Sequence, residues 1–200
     1  MAIAFWLKNP GMLLARFRYL LWERRNPDKP WLTPEAVAYL EGVLNREMSG
    51  LEFGSGRSTK WYAGKLGRLV SIEHSASWYE IVKAQLAKAG VKNVDYRLVP
   101  LNHPETQGEQ PQYTPMPDYV AVVDGFPDST FDFVVVDGHY RTNCIRASLH
   151  KLKPGGLLLI DDVNMWPIRD QFPVPLDWTR PHYSTNGIKW TGIWQKPVTG

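Results

Sequence analysis

An α/β fold, doubly wound around a mostly parallel sheet, is what this sequence predicts, and three observations carry the prediction. From residue 50 onward, short apolar runs alternate with longer amphipathic stretches, the rhythm of βαβ units. The runs Phe133-Val134-Val135-Val136 and Leu157-Leu158-Leu159-Ile160 lack polar alternation, which marks strands buried on both faces. The run Leu51-Glu52-Phe53 breaks into Gly54-Ser55-Gly56, and the next strand ends in Glu73. A strand that breaks into glycines lets backbone approach a ligand closely.

In chain order, residues 11–25 place Leu13, Phe17, Leu20 and Leu21 at helical spacing among Arg16, Arg18, Arg24 and Arg25. A better-signalled helix follows. Thr33 caps it, Pro34 takes its first turn, Glu35 suits the dipole, and Val37, Leu40 and Leu44 form its apolar stripe, with Ser49-Gly50 ending it. Strands are expected near 50–53, 69–73, 94–99, 131–136 and 156–161, and helices near 57–66, 75–89 and 141–152. Residues 101–117 carry Pro104, Pro111, Pro115 and Pro117, so a long loop leaves the third strand. Residues 163–187 read as a second irregular stretch on the same carboxyl edge, where ligands bind in such sheets. Both are expected to wall an acceptor site. The domain reading is a helical extension over 1–48 and a ligand-binding domain over 49–200.

Composition narrows the class. A 200-residue chain buries a sizeable core as one domain, and its net charge of +3 is too mild to argue for nucleic acid. Cys144 is the only cysteine, which excludes an intrachain disulfide and a thiolate zinc site. With no visible signal peptide or membrane-spanning stretch, the expected location is the cytoplasm. Trp166, Trp178, Trp190 and Trp194 suit either an aromatic or sugar-like ligand or plain core packing.

The glycine segment selects among nucleoside ligands. A dinucleotide fingerprint needs a third glycine where Thr59 stands, and there is no phosphate-loop Gly-Lys-Ser/Thr. Glu52 would repel a pyrophosphate but suits an ammonium group, while Glu73 sits where an acid accepts hydrogen bonds from a ribose diol. S-adenosylmethionine has that chemistry: an amino acid at one end, a ribose at the other, no phosphate between.

Glu52-Phe53-Gly54-Ser55-Gly56, then Glu73, then Phe131 to Gly138, then Leu152-Lys153-Pro154-Gly155-Gly156 resembles the class I S-adenosylmethionine-dependent methyltransferases, in order and spacing, across about residues 50–165. The resemblance implies a Rossmann-like fold of seven strands, with Gly187 to Trp194 as the closing strand. It also implies cofactor binding by Glu52, Gly54, Ser55, Gly56, Glu73, His74 and Asp137. Leu159-Ile160-Asp161-Asp162 looks like the metal-binding pair of catechol-type O-methyltransferases, with Asp137 at their remaining aspartate. Such oxygen ligands suit magnesium, manganese or calcium. Asp162 replaces an asparagine and Tyr140 a catalytic lysine of that pattern, so helix capping and loop hydrogen bonds stay open as the alternative.

His139 carries an imidazole, the commonest general base, and follows Asp137 on the loop facing the acceptor, which makes the two the candidate catalytic residues; a packed or solvated histidine is the other reading. Arg141 suits either an anionic acceptor or a salt bridge to Asp137 or Asp162. The expected activity is methyl transfer to a small-molecule acceptor, at a hydroxyl, with no nucleic acid partner. An aminopropyltransferase on the same fold is the rival enzyme. A non-catalytic module acting through the N-terminus is the rival binding protein. Phe5, Trp6, Phe17, Tyr19 and Trp22 interleave there with basic residues, which suits a peripheral membrane contact, a homodimer contact or a cover over the acceptor pocket.

Overall fold

The computed structural model describes residues 8–198 except 105, 108–109 and 166–171. Phe5, Trp6 and Trp166 therefore lie outside the described residues. Among the described residues, helices α1 (Pro10–Arg25) and α2 (Pro34–Val43) precede the sheet. The Thr33 hydroxyl accepts from the Ala36 backbone N–H at 3.3 Å, and Pro34 opens the first turn, as the cap signature requires. The sheet then alternates with helices: β1 (Ser49–Phe53), α3 (Arg57–Lys65), β2 (Arg68–Glu73), α4 (Ala76–Lys88) and β3 (Val94–Leu98). A short helix α5 (Asp118–Ala121) leads to β4 (Phe131–Val136), α6 (Arg141–Ser148), β5 (Leu152–Ile160), β6 (Thr179–Thr185) and β7 (Trp190–Gln195).

The strand order is β3-β2-β1-β4-β5-β7-β6, parallel except that β7 runs antiparallel between β5 and β6. Side-chain alternation splits the core in two. Leu51, Phe53, Val134, Val136, Leu158 and Ile160 face one side, packed with Tyr119 of α5, Ile145 of α6 and Tyr140 just before α6. Phe133, Val135, Leu157 and Leu159 face the other, packed with Val37 and Leu40 of α2 and Tyr62 of α3. The unbroken apolar runs of β4 and β5 follow from that, since each strand must satisfy a helical layer on both faces. Helix α2 shares this core although it precedes the first strand.

The structure departs from the sequence reading at the end of the chain. Thr179–Thr185 is a strand, not part of an irregular stretch, and the closing strand starts at Trp190 because Asn186–Lys189 turn between β6 and β7. Polar and basic residues fill β6, whose faces are only half-buried at the sheet edge, so no apolar run announces it. The helix after β4 ends at Ser148 rather than 152, and β5 begins at Leu152. Lys153-Pro154-Gly155-Gly156, expected before the strand, forms a bulge within it, between the pairs Leu152–Phe131 and Leu157–Phe133. No helix among the described residues is long and apolar enough to cross a membrane.

Candidate active site

β1, β2 and β4 end side by side at the carboxyl edge. Gly54 N–H donates to the Ile72 carbonyl at 2.9 Å and Asp137 N–H to the Phe53 carbonyl at 3.0 Å. Gly54 has φ +89°, and a Cβ there would lie 2.7 Å from the Gly138 nitrogen. Only glycine permits that approach. Beside it opens a cleft of about 360 Å³ that draws Gly54, Ser55, Glu73, His74, Asp137 and His139 together. Ser75, Trp78, Gly138 and Arg141 complete its lining.

Glu73 closes the end of β2 with a buried carboxylate. One oxygen accepts from Ser55, at 3.1 Å from its backbone N–H and 2.6 Å from its hydroxyl. The other accepts from the backbone N–H groups of His74 and Ser75, both at 2.9 Å. Burial works to raise the pKa of this group, but the hydrogen bonds from His74, Ser55 and Ser75 outweigh it and hold Glu73 below the ordinary glutamate value. Glu73 is therefore an anion, locked in one orientation at the mouth of the cleft.

At the ends of β4 and β5, Asp137, Asp161 and Asp162 each place a carboxylate oxygen within 4.8 Å of the others. Cationic side chains reach in among them. Lys189 Nζ donates to Asp162 at 3.0 Å, and the Arg141 guanidinium lies 3.3 Å from Asp137 and 3.8 Å from Asp162. Arg141 also donates to the Asp161 carbonyl. Burial, then the charges of Asp137 and Asp162, pushes the Asp161 carboxyl up to about 8, against the Thr191 hydroxyl that donates to it at 2.5 Å. Two cations thus face three clustered carboxyl groups, and burial favours the protonated form of both Asp137 and Asp161. One buried atom, Asp162 Oδ1, has no hydrogen-bond partner.

His139 stands at the cleft rim with its ring edge-on to that of His74, centroids 4.5 Å apart, and 6.5 Å from His103. His103 comes from the long loop after β3 and stacks on Tyr113 of the same loop. That loop is pinned to α6: Asn143 exchanges hydrogen bonds with both backbone groups of Tyr113, and the buried Tyr140 hydroxyl accepts from Asn102 N–H at 2.9 Å. The loop over 101–117 therefore places His103 near His139, while none of its described residues lines the cleft itself. Of the second stretch, the described residues Phe172, Leu176, Trp178 and Arg180 line a separate hollow of about 370 Å³ with Tyr183 and Trp194, which shares no residue with the cleft.

A methyltransferase domain family matches residues 51–163, from β1 through the end of β5 and the turn after it. The chain belongs to the class I S-adenosylmethionine-dependent methyltransferases. The fold agrees. A methyltransferase-like protein from Silicibacter pomeroyi is 24% identical with a TM-score of 0.60, covering 86% of this chain and 92% of that one. An rRNA methylase from Streptococcus thermophilus is 15% identical with a TM-score of 0.56, covering 80% and 93%. The Streptococcus mutans protein SMU.1697c, solved in complex with SAH, is 12% identical with a TM-score of 0.52, covering 80% and 94%. No curated protein matches the chain in sequence.

Within this methyltransferase two residues singled out for the cofactor sit outside the cleft lining. Glu52 is fully buried below the glycine segment. Its oxygens accept from the hydroxyls of Ser58 at 2.6 Å and of Thr59 and Ser71 at 2.7 Å. Thr59 in turn accepts from Gly56 N–H at 2.9 Å, so the threonine in place of a third glycine ties the turn to the acid beneath it. Gly56 is buried with extended backbone, and a Cβ there would meet only Trp78, at 3.8 Å. The close approach is made by Gly54 with Gly138. Gly138 and Trp78, whose indole N–H donates to the Ser55 carbonyl at 3.0 Å, are the cleft residues that the sequence reading missed. A glycine directly after a strand-ending aspartate was the available signal for the first. Trp78 had none, since its role depends on α4 packing over the turn.

Burial pushes the Glu52 carboxyl up to about 7 despite its three hydroxyl donors. A raised acid pKa means the folded state keeps a proton that the unfolded chain releases. The stabilisation is fully present below about 4.5, the ordinary value, and is lost as pH rises through about 7. The shift corresponds to about 3 kcal/mol. Glu52→Gln is expected to lose less of its melting temperature between about pH 5 and 7 than the native chain, because the Glu52 share of the pH dependence is gone and the hydroxyls can rotate to accept from the amide. Parallel pH profiles for the two proteins in thermal melts would contradict this.

Proposed function

We propose that this methyltransferase alkylates a hydroxyl of a small-molecule acceptor, with His139 as the general base. The observation that carries the reading is the imidazole of His139 on the rim of the glycine cleft, facing His74 and the pinned loop that presents His103. The donor set suits the cofactor: a fixed anionic Glu73 for the ribose hydroxyls, the backbone at Gly54 and Ser55, and Trp78 along one side. S-adenosylmethionine supplies a methyl carbon on a sulfonium that departs as a neutral thioether, so the chemical driving force is the cofactor's own. The protein's part is to hold the acceptor oxygen in line and to take its proton. Imidazole is the side chain most often used as a general base.

A divalent cation at Asp137, Asp161 and Asp162 is the second reading, favoured by the unpartnered Asp162 Oδ1 and by a donor set of hard oxygens. It would replace the Asp161 proton and compete with Arg141 and Lys189 for the same carboxylates. The test begins with labelled S-adenosylmethionine against a panel of phenols, hydroxylated metabolites and sugars. With the acceptor so found, His139→Ala is expected to lose roughly 10²–10⁴-fold in turnover and the acidic limb of its pH–rate profile, while affinity for S-adenosylhomocysteine stays unchanged. Undiminished turnover would dismiss the base. Turnover abolished by EDTA and restored by magnesium or manganese would establish the metal, and full activity in chelator would leave the carboxylates to Arg141 and Lys189.

A further inference from the structure

Helix α1 is apolar on two opposite faces, and the sheet uses only one. Tyr19 is buried, with Trp22 stacked beside it and Met12 and Ala15 half-buried on the same side. That face is seated on the turn between β6 and β7: a Cβ on Gly187 would lie 2.4 Å from the Met12 carbonyl oxygen and 2.6 Å from the Arg16 nitrogen. The other face carries Leu13, Leu14, Phe17, Leu20 and Leu21, all exposed, with Phe17 at 58%. At 100° per residue these five span about 120° of the helix surface. Nothing among the described residues covers them. An apolar stripe of this size on water is costly, at about 25 cal/mol per Å².

We infer that this face docks α1 on an anionic lipid surface. Charge chooses that occupant over a second copy of the chain. Arg18, Arg24 and Arg25 are exposed around the stripe, and Arg16 borders it half-buried. The one acid on the helix, Glu23, lies on the buried side, 3.7 Å from Arg57. Pairing two such helices would bring arginines alongside arginines with no carboxylate to meet them. Lipid phosphates supply the missing anions while acyl chains receive the leucines and Phe17, the arrangement of an interfacial amphipathic helix. Position gives the docking a use. The turn that seats α1 leads directly into Lys189, which holds Asp162 at the site's carboxylate cluster. A membrane against α1 therefore lies at the same rim of the sheet as the acceptor site, which suits an acceptor with an apolar tail.

Vesicle co-sedimentation of the full chain tests this. The protein is expected to pellet with vesicles of phosphatidylcholine and phosphatidylglycerol, but not with phosphatidylcholine alone, and to be released by high salt. Arg24→Ala and Arg25→Ala are each expected to weaken binding about fivefold, the equivalent of ~1 kcal/mol for one basic side chain near an anionic surface. Phe17→Ser with Leu20→Ser is expected to abolish pelleting while leaving the melting temperature and S-adenosylhomocysteine affinity unchanged, because both side chains face water. Equal pelleting of wild type and the double variant overturns the proposal. So does a vesicle-free dimer in sedimentation velocity that the double variant dissociates, since a second copy would then own the face.

Discussion

A Gly54→Val variant is expected to lose both cofactor binding and a large part of its stability. The new Cβ would lie 2.7–2.9 Å from the backbone of Gly138 and Asp137, and neither strand end can retreat without breaking the bonds that join β1, β2 and β4. Holding a β-branched residue at φ +89° costs roughly 1–3 kcal/mol, and forcing the backbones apart roughly 1–3 more. Against a typical total of about 5–15 kcal/mol, that is a severe loss. Gly56→Ala is the control. Its backbone is extended and its Cβ would make ordinary contact with Trp78, so a change within about 1 kcal/mol is expected. Urea unfolding with calorimetry against S-adenosylhomocysteine measures both effects. A Gly54→Val protein that unfolds and binds like wild type would show that the strand ends do not meet as described.

Glu73→Ala is expected to weaken binding of S-adenosylhomocysteine by about 10- to 150-fold, the equivalent of roughly 1.5–3 kcal/mol for hydrogen bonds to a charged group. The same change strands the N–H groups of Ser55, His74 and Ser75, which now converge on one carboxylate, so some loss of stability accompanies it. Glu73→Gln separates the two effects. It keeps the shape and one acceptor oxygen, so only the N–H groups facing that oxygen regain their partner and part of the stability returns, while the charge-assisted share of binding stays lost. A folded Glu73→Ala protein with wild-type affinity would remove this residue from the cofactor site.

Much of this was legible in the chain. The cap at Thr33 and the stripe of α2 depend on neighbours within a few residues, and the structure reproduces both. The doubly buried strands β4 and β5 announce themselves because a sheet covered on both faces leaves no position for a polar side chain. Gly54, Glu73 and His139 could be placed at one edge since each ends or follows a parallel strand, and parallel strands bring their carboxyl ends together.

Other features depend on partners far apart in sequence. Glu52 reads as a ligand-facing acid at the end of a strand, yet hydroxyls from α3 and β2 close over it and make it the anchor of the glycine turn. The three aspartates read as a metal-binding pattern or as salt-bridge partners of Arg141, and only folding brings Lys189 and Thr191 to them from the far end of the chain. Strand β6 exists because β7 offers it an open edge; its own residues carry no apolar period. The sequence by itself thus determined the alternation, the buried strands and the edge at which the site forms, since these follow from local periodicity and from where glycines permit close approach. Which carboxylate lines the cleft, which is walled in and which is paired was decided only by the tertiary structure, because desolvation and pairing are set by atoms that the chain brings together only on folding.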